Sequence, residues 1–119
     1  MGTARLRRAL VVEDEAVVAM LIEDLLTDLG YEVVASAATA EQALALAAEA
    51  DFDFALLDVN LGPGKNSYAA AKALEARGAP YAWLTGYGVQ GVPPELAAAP
   101  VLRKPIDLKE FEAVVRGLC

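Results

Sequence analysis

The chain contains no histidine. That excludes imidazole-ligated metal centres and Ser-His or Cys-His nucleophiles, and the chain cannot itself carry a phosphohistidine. Its one cysteine, Cys119, is the last residue. It can form no intrachain disulfide, so a reducing cytoplasm is the expected setting. No apolar run approaches the roughly 20 residues of a membrane span. Arginines precede Ala9-Leu10-Val11-Val12 as in a secretory leader, but Glu13, Asp14 and Glu15 interrupt that run far too early. Basic residues are few. Ten Lys and Arg stand against 17 Asp and Glu, for a net charge of −7, which argues against nucleic acid as a partner. Arg5, Arg7 and Arg8 form the only basic cluster, expected to be a solvated N-terminal tail.

What is present is apolar and periodic. Apolar residues make up 56% of 119 residues, enough for one compact domain over 1–119. Apolar runs alternate with helical patterns, the mark of a parallel α/β sheet. Strands are expected at 9–13, 32–35, 53–57, 81–84 and 101–103. A helix is expected from Ala16 to Leu29, with Val17, Leu21, Leu25 and Leu29 as its buried stripe and Gly30 as its stop. Thr39 and Gln42 have capping-box spacing and open a second helix that ends near Ala48. Asn66 or Ser67 caps a third, which ends before Gly78. Asp107 and Glu110 cap the last. Between the fourth and fifth strands, Gly86, Gly88, Gly91, Pro93 and Pro94 break regular helix and leave about one turn, 95–98. The expected architecture is a doubly wound, flavodoxin-like α/β sandwich with a five-stranded parallel sheet and a shortened fourth helix.

In such a sheet, ligands bind at the carboxyl edge, where the strand order reverses. Glu13, Asp14, Asp58, Thr85 and Lys104 all fall just past expected strand ends. Three acids crowded at one edge repel each other, and a hard divalent cation among them would relieve that repulsion.

Val-Val-Glu13-Asp14, Leu-Leu-Asp58-Val-Asn60, Leu-Thr85-Gly86 and Arg-Lys104-Pro105, in that order over nearly the whole chain, resemble the receiver domain of two-component response regulators. The resemblance implies the strand order 2-1-3-4-5 and a role for each position. Asp58 would be the phosphoacceptor. Asp14 would ligate Mg²⁺ directly, Glu13 would hold it through water, and the Asn60 carbonyl would complete the protein's share. Thr85 and Lys104 would bind the phosphoryl oxygens, and the Lys104-Pro105 peptide would be cis. The implied partners are a histidine kinase or histidine phosphotransfer protein and a downstream protein target. The chain would be a stoichiometric acceptor rather than a turnover enzyme. The chemistry stands on its own terms: a carboxylate can attack phosphorus to give an acyl phosphate, and phosphoryl transfer needs chiefly positioning and charge neutralisation.

Two features depart from the common receiver pattern. Val101 stands where receivers carry an aromatic switch residue. The segment Leu84-Thr85-Gly86-Tyr87-Gly88 resembles an atypical subgroup with a Phe-Ala-Thr-Gly-X-Tyr-like motif, whose phosphodonors resemble HWE-type histidine kinases. The expected switch therefore involves Thr85, Gly86, Tyr87 and Val101, with phosphorylation ordering the loop from Gly86 to Pro94. Trp83 is expected in the strand core. The expected setting is a receiver without an output domain. Alternatives are a receiver from a hybrid kinase, a pseudo-receiver that binds partners without phosphorylation, and a dehalogenase-type hydrolase. The last normally carries its nucleophilic Asp on the first strand with a second acid two residues on, where this chain has Asn60 after a third strand.

Overall fold

The computed structural model describes residues 6–86 and 92–118. Five parallel strands form one sheet: β1 (Arg8–Val12), β2 (Glu32–Ala37), β3 (Phe54–Asp58), β4 (Tyr81–Thr85) and β5 (Val101–Arg103). They are ordered β2-β1-β3-β4-β5. Four helices connect or follow them: α1 (Ala16–Asp28), α2 (Ala40–Glu49), α3 (Tyr68–Ala76) and α4 (Leu108–Leu118). Between β4 and β5 the only helical turn among the described residues is a 3₁₀ turn, Pro94–Leu96. Pro93 and Pro94 stand at its N-terminal cap and first position, where proline is tolerated.

Side chains alternate across the strands, so the sheet has two apolar faces. Ala9, Val11, Phe54, Leu56, Ala82 and Leu84 pack with Ile22 and Leu26 of α1 and Phe111 and Val115 of α4. Leu10, Val12, Ala55, Leu57, Tyr81 and Trp83 pack with α2, α3 and the 3₁₀ turn. Every residue of β3 and β4 is buried, as strands covered on both faces require. Small residues let α2 and α3 lie close to the sheet, with Ala43, Ala47, Ala70 and Ala71 all fully or almost fully buried.

The capping signals act as chemistry predicts, with changes of detail. Thr39 Oγ1 accepts from Gln42 N at 3.1 Å, and Gln42 Oε1 accepts from Ala38 N at 3.0 Å. Asp107 Oδ1 accepts from the amides of Lys109 and Glu110. Gly30, at φ 92°, ends α1 in the left-handed region that favours glycine.

Two expectations are corrected. Leu25 and Leu29 of the expected α1 stripe pack half-buried against the sheet, but in the first turns the buried face lies about one residue further on than expected. Val17 is 79% exposed and Leu21 47%, while Ile22 and Leu26 are fully buried. Residues 17–22 are apolar without a break, so spacing alone could not fix which side faces the sheet. Arg8 is not part of a solvated tail. It begins β1, its amide donates to Asp53 Oδ2 at 2.7 Å, and its guanidinium pairs with Asp51 at 2.7 Å.

The strand order reverses between β1 and β3. β1 passes to β2 on one side, and the chain returns to place β3 on the other. The carboxyl ends of these two strands therefore carry Glu13-Asp14 and Asp58 to one crevice.

Candidate functional site

Glu13, Asp14 and Asp58 each offer a carboxylate oxygen, and these oxygens all lie within 4.8 Å of one another. Glu13 and Asp58 are buried at 2% and 5% exposure, whereas Asp14 is exposed. The sheet ladder sets Glu13: its amide donates to Ala37 O at 2.9 Å, continuing the β1–β2 pairing one residue past the strand. Asp58 closes β3 and pairs in register with Leu84.

Lys104 enters from the end of β5. Its Nζ stands 2.7 Å from Glu13 Oε1 and 3.0 Å from Asp58 Oδ2. The backbone fixes its base, because Lys104 N donates to Thr85 O at 2.9 Å and the Lys104-Pro105 peptide is cis. The other oxygens are held by amides. Asn60 N donates to Asp58 Oδ1 at 3.2 Å, and Glu15 N donates to Glu13 Oε2 at 3.1 Å.

Burial pushes the Glu13 carboxyl up to about 7. The Lys104 ammonium and the Glu15 amide oppose that shift, and the Asp58 carboxylate adds to it. Burial alone would lower the Lys104 ammonium, but Glu13 and Asp58 outweigh burial and raise it. The two shifts have different main causes, burial for Glu13 and the paired carboxylates for Lys104. In both, the Glu13 and Asp58 carboxylates set around one ammonium leave the cluster short of positive charge.

That shortage bears on whether a cation fits. Glu13 Oε1 is buried and makes no aligned hydrogen bond, although the ammonium lies close to it. The donors are carboxylates on a partly open cleft, the hard-oxygen set that Mg²⁺ accepts alongside its own waters. The residues fit a hard divalent ion.

The cleft has a volume of about 670 Å³ and is lined by Asp14, Glu15, Asp58, Asn60, Gly62, Pro63, Gly64, Gly86 and Lys104. Thr85 is buried at the end of β4 and meets this group through its carbonyl, which accepts from Lys104 N. Gly86 follows it, exposed on the cleft. Val101 is half-buried and pairs with Trp83 across β4 and β5. Tyr87 and residues 88–91 lie outside the described residues.

Several contributors escaped the sequence reading. The Glu15 amide could not be placed without the turn after β1. Ser67, expected only as a helix cap, donates its hydroxyl to Asp58 O at 2.5 Å. Trp83 is core as expected, yet its Nε1 also donates to Leu96 O at 3.1 Å and ties the 3₁₀ turn to β4. Tyr68 and Tyr81 meet it edge-on, at centroid distances of 6.2 and 5.5 Å.

A family model described as the response regulator receiver domain matches residues 9–116. The solution structure of SdrG from Sphingomonas melonis Fr1 superposes with a TM-score of 0.84 at 35% identity, covering 98% of each chain. Among curated proteins, the transcriptional regulatory protein PdtaR of Mycobacterium tuberculosis is 33% identical over 81 residues, 68% of this chain and 40% of its own length. The probable transcriptional regulator ycf27 of Cyanophora paradoxa is 33% identical over 118 residues, 94% of this chain and 48% of its own. The chain thus spans less than half the length of these curated relatives.

Proposed function

Because the chain belongs to the response regulator receiver domain family of two-component systems, we propose that Asp58 is its phosphoacceptor. The donor would be a phosphohistidine on a histidine kinase, HWE-type in particular, or on a histidine phosphotransfer protein. The output would be protein–protein contact in a cytoplasmic setting. The observation that carries this reading is the convergence of Asp58, Lys104, Glu13 and Asp14 from three separate strand ends on one open cleft.

Asp14 and Asp58 would hold Mg²⁺ with their carboxylates, Glu13 through water and Asn60 through its carbonyl. When bound, the ion supplies positive charge to the oxygens of the transferring group. The protein's own residues do the rest. An Asp58 oxygen forms a bond to phosphorus as the nitrogen–phosphorus bond of the donor breaks, and the imidazole leaves with its electron pair. Both Asp58 oxygens are already oriented, one by the Asn60 amide and one by Lys104, so little reorganisation precedes attack. Lys104 then moves from the carboxylate to a phosphoryl oxygen, and the Thr85 hydroxyl donates to another. Hydrolysis of the acyl phosphate returns the carboxylate and inorganic phosphate. Each chain accepts one phosphoryl group at a time, on Asp58, and acts as a stoichiometric acceptor.

With Val101 in place of an aromatic side chain, signalling would run through Thr85, Gly86 and Tyr87. Thr85 drawn toward the phosphoryl group pulls on Gly86 and the segment behind it.

The test is incubation with acetyl phosphate and Mg²⁺, followed by intact mass measurement. One added phosphoryl group, lost in Asp58→Asn and on chelation, supports the reading. No addition under conditions that load a known receiver would replace it with a phosphorylation-independent binding module.

A further inference from the structure

Ser67 stands one residue before α3, where a serine ordinarily gives its oxygen to the amides of the first turn. This one makes no such bond. Asn66 takes over at the helix entrance, its Oδ1 accepting from Tyr68 N at 3.0 Å. The Ser67 hydroxyl, almost fully buried, instead reaches back nine residues to Asp58 O at 2.5 Å. The Ser67 amide donates to the next carbonyl, Val59 O, at 3.2 Å. One serine thus holds two successive carbonyls of the phosphoacceptor strand end.

These bonds bear on the third residue, Asn60. The loop folds back on itself as a short antiparallel pair, Asn60 opposite Asn66. It is closed by Ser67 N to Val59 O on one side and by Leu61 N to Lys65 O at 3.1 Å on the other. The closing bonds flank Asn60, which puts Asn60 and Asn66 at a position that exchanges no hydrogen bond between them. At such a position the residue's own N–H and C=O both point away from the partner strand. The Asn60 N–H does so, toward Asp58 Oδ1 at 3.2 Å. Its carbonyl, on the same edge of an extended residue, is turned to the same side, and Asn60 lines the cleft.

We propose that Ser67 is a positioning residue for cation binding: its hydroxyl and amide clamp the Asp58 and Val59 carbonyls so that the Asn60 carbonyl is presented to a divalent ion beside Asp58. The proposal rests on the cation-assisted reading above. A ligand carbonyl on a flexible glycine-containing loop binds poorly unless something outside the ligand shell fixes it. Gly62 and Gly64, at φ 109° and 69°, let the loop turn, and the Lys65 N to Gly62 O bond at 3.0 Å closes that turn on the far side of Asn60 from Asp58.

The experiment measures the Mg²⁺ dissociation constant by calorimetry for wild type, Ser67→Ala, Ser67→Thr and Asp14→Asn, with the melting temperature of each metal-free protein. Loss of Mg²⁺ binding in Asp14→Asn checks the underlying reading by itself; a wild type that binds no Mg²⁺ overturns both. Where wild type binds, Ser67→Ala is expected to weaken Mg²⁺ about tenfold, while Ser67→Thr, which keeps a hydroxyl, stays within about twofold of wild type. Ser67→Ala that melts lower yet binds Mg²⁺ as wild type does would make Ser67 a structural cap and overturn the proposal. So would Ser67→Thr as weak as Ser67→Ala, since the hydroxyl would not carry the effect.

Discussion

Lys104 Nζ lies 3.0 Å from Asp58 Oδ2, joining residues 46 positions apart across the mouth of the cleft. The same ammonium is 2.7 Å from Glu13 Oε1. One cation therefore serves two buried carboxylates. Lys104→Ala leaves the two with only their backbone amide donors, Asn60 N and Glu15 N. The metal-free protein is expected to lose about 1–2 kcal/mol, less than a fully buried pair would cost because Lys104 is partly exposed. Urea unfolding measures this. Saturating Mg²⁺ should recover most of the loss, and phosphorylation by acetyl phosphate should remain slow even so.

Asp14 gives the opposite sign. It is the exposed member of the acidic group, so Asp14→Asn removes like-charge repulsion without burying an unpaired group. The metal-free variant should be more stable than wild type by up to about 1 kcal/mol. Mg²⁺ stabilises whatever folded state binds it, by about 2.7 kcal/mol at a hundredfold excess over the dissociation constant. The variant should lose that increment. Thermal melts with and without Mg²⁺ read both effects, and a variant that still gains stability from Mg²⁺ would take Asp14 out of the coordination.

The five strands and the acidic crevice were legible because both rest on strong local signals, whereas the strand order came from the resemblance to receiver domains. β3 reads as a run of four apolar residues, Phe54 to Leu57, closed by Asp58, a length that suits a short buried strand. The phase of the first turns of α1 was not legible, because residues 17–22 are apolar all round and the winning face is chosen by the sheet, whereas Leu25 and Leu29 fell where expected. The two faces should separate cleanly by mutation. Ile22→Ala, at a fully buried site, is expected to cost about 2–4 kcal/mol. Val17→Ala, at 79% exposure, should fall within about 0.5 kcal/mol of wild type. Chemical denaturation of the pair decides it.

Trp83 shows a second limit of sequence reading. Its place in β4 followed from the apolar run, but its partner did not, since Leu96 O is reached only after the chain has left and returned. The indole N–H to Leu96 O bond at 3.1 Å fastens the 3₁₀ turn to the strand that ends in Thr85. Trp83→Phe keeps an aromatic ring and removes the donor. It is expected to cost about 1–3 kcal/mol. It should also speed amide hydrogen exchange at Leu96 and Ala97 more than at β1, where the sheet is unchanged. Uniform acceleration would mean that the bond has no local role.

Tyr81 supplies a pH dependence remote from the cleft. Its hydroxyl donates to Glu75 Oε2 at 2.7 Å. Burial first, and then the Glu75 carboxylate, raise the phenol above its ordinary value. The unfolded chain releases this proton near pH 10, while the folded chain keeps it to higher pH. Below that point both states carry the proton, and the contribution of Tyr81 to stability is complete and flat. Above it the folded state binds more protons than the unfolded one, so stability falls as pH rises. Tyr81→Phe has no proton to lose. At neutral pH it should be less stable than wild type by about 0.5–1.5 kcal/mol, the net value of a buried hydrogen bond. The gap should stay constant to about pH 9 and narrow above about pH 10. Unfolding curves for both proteins across that range test the sign, and a gap that widened with pH would show that Tyr81 ionises more readily folded than unfolded.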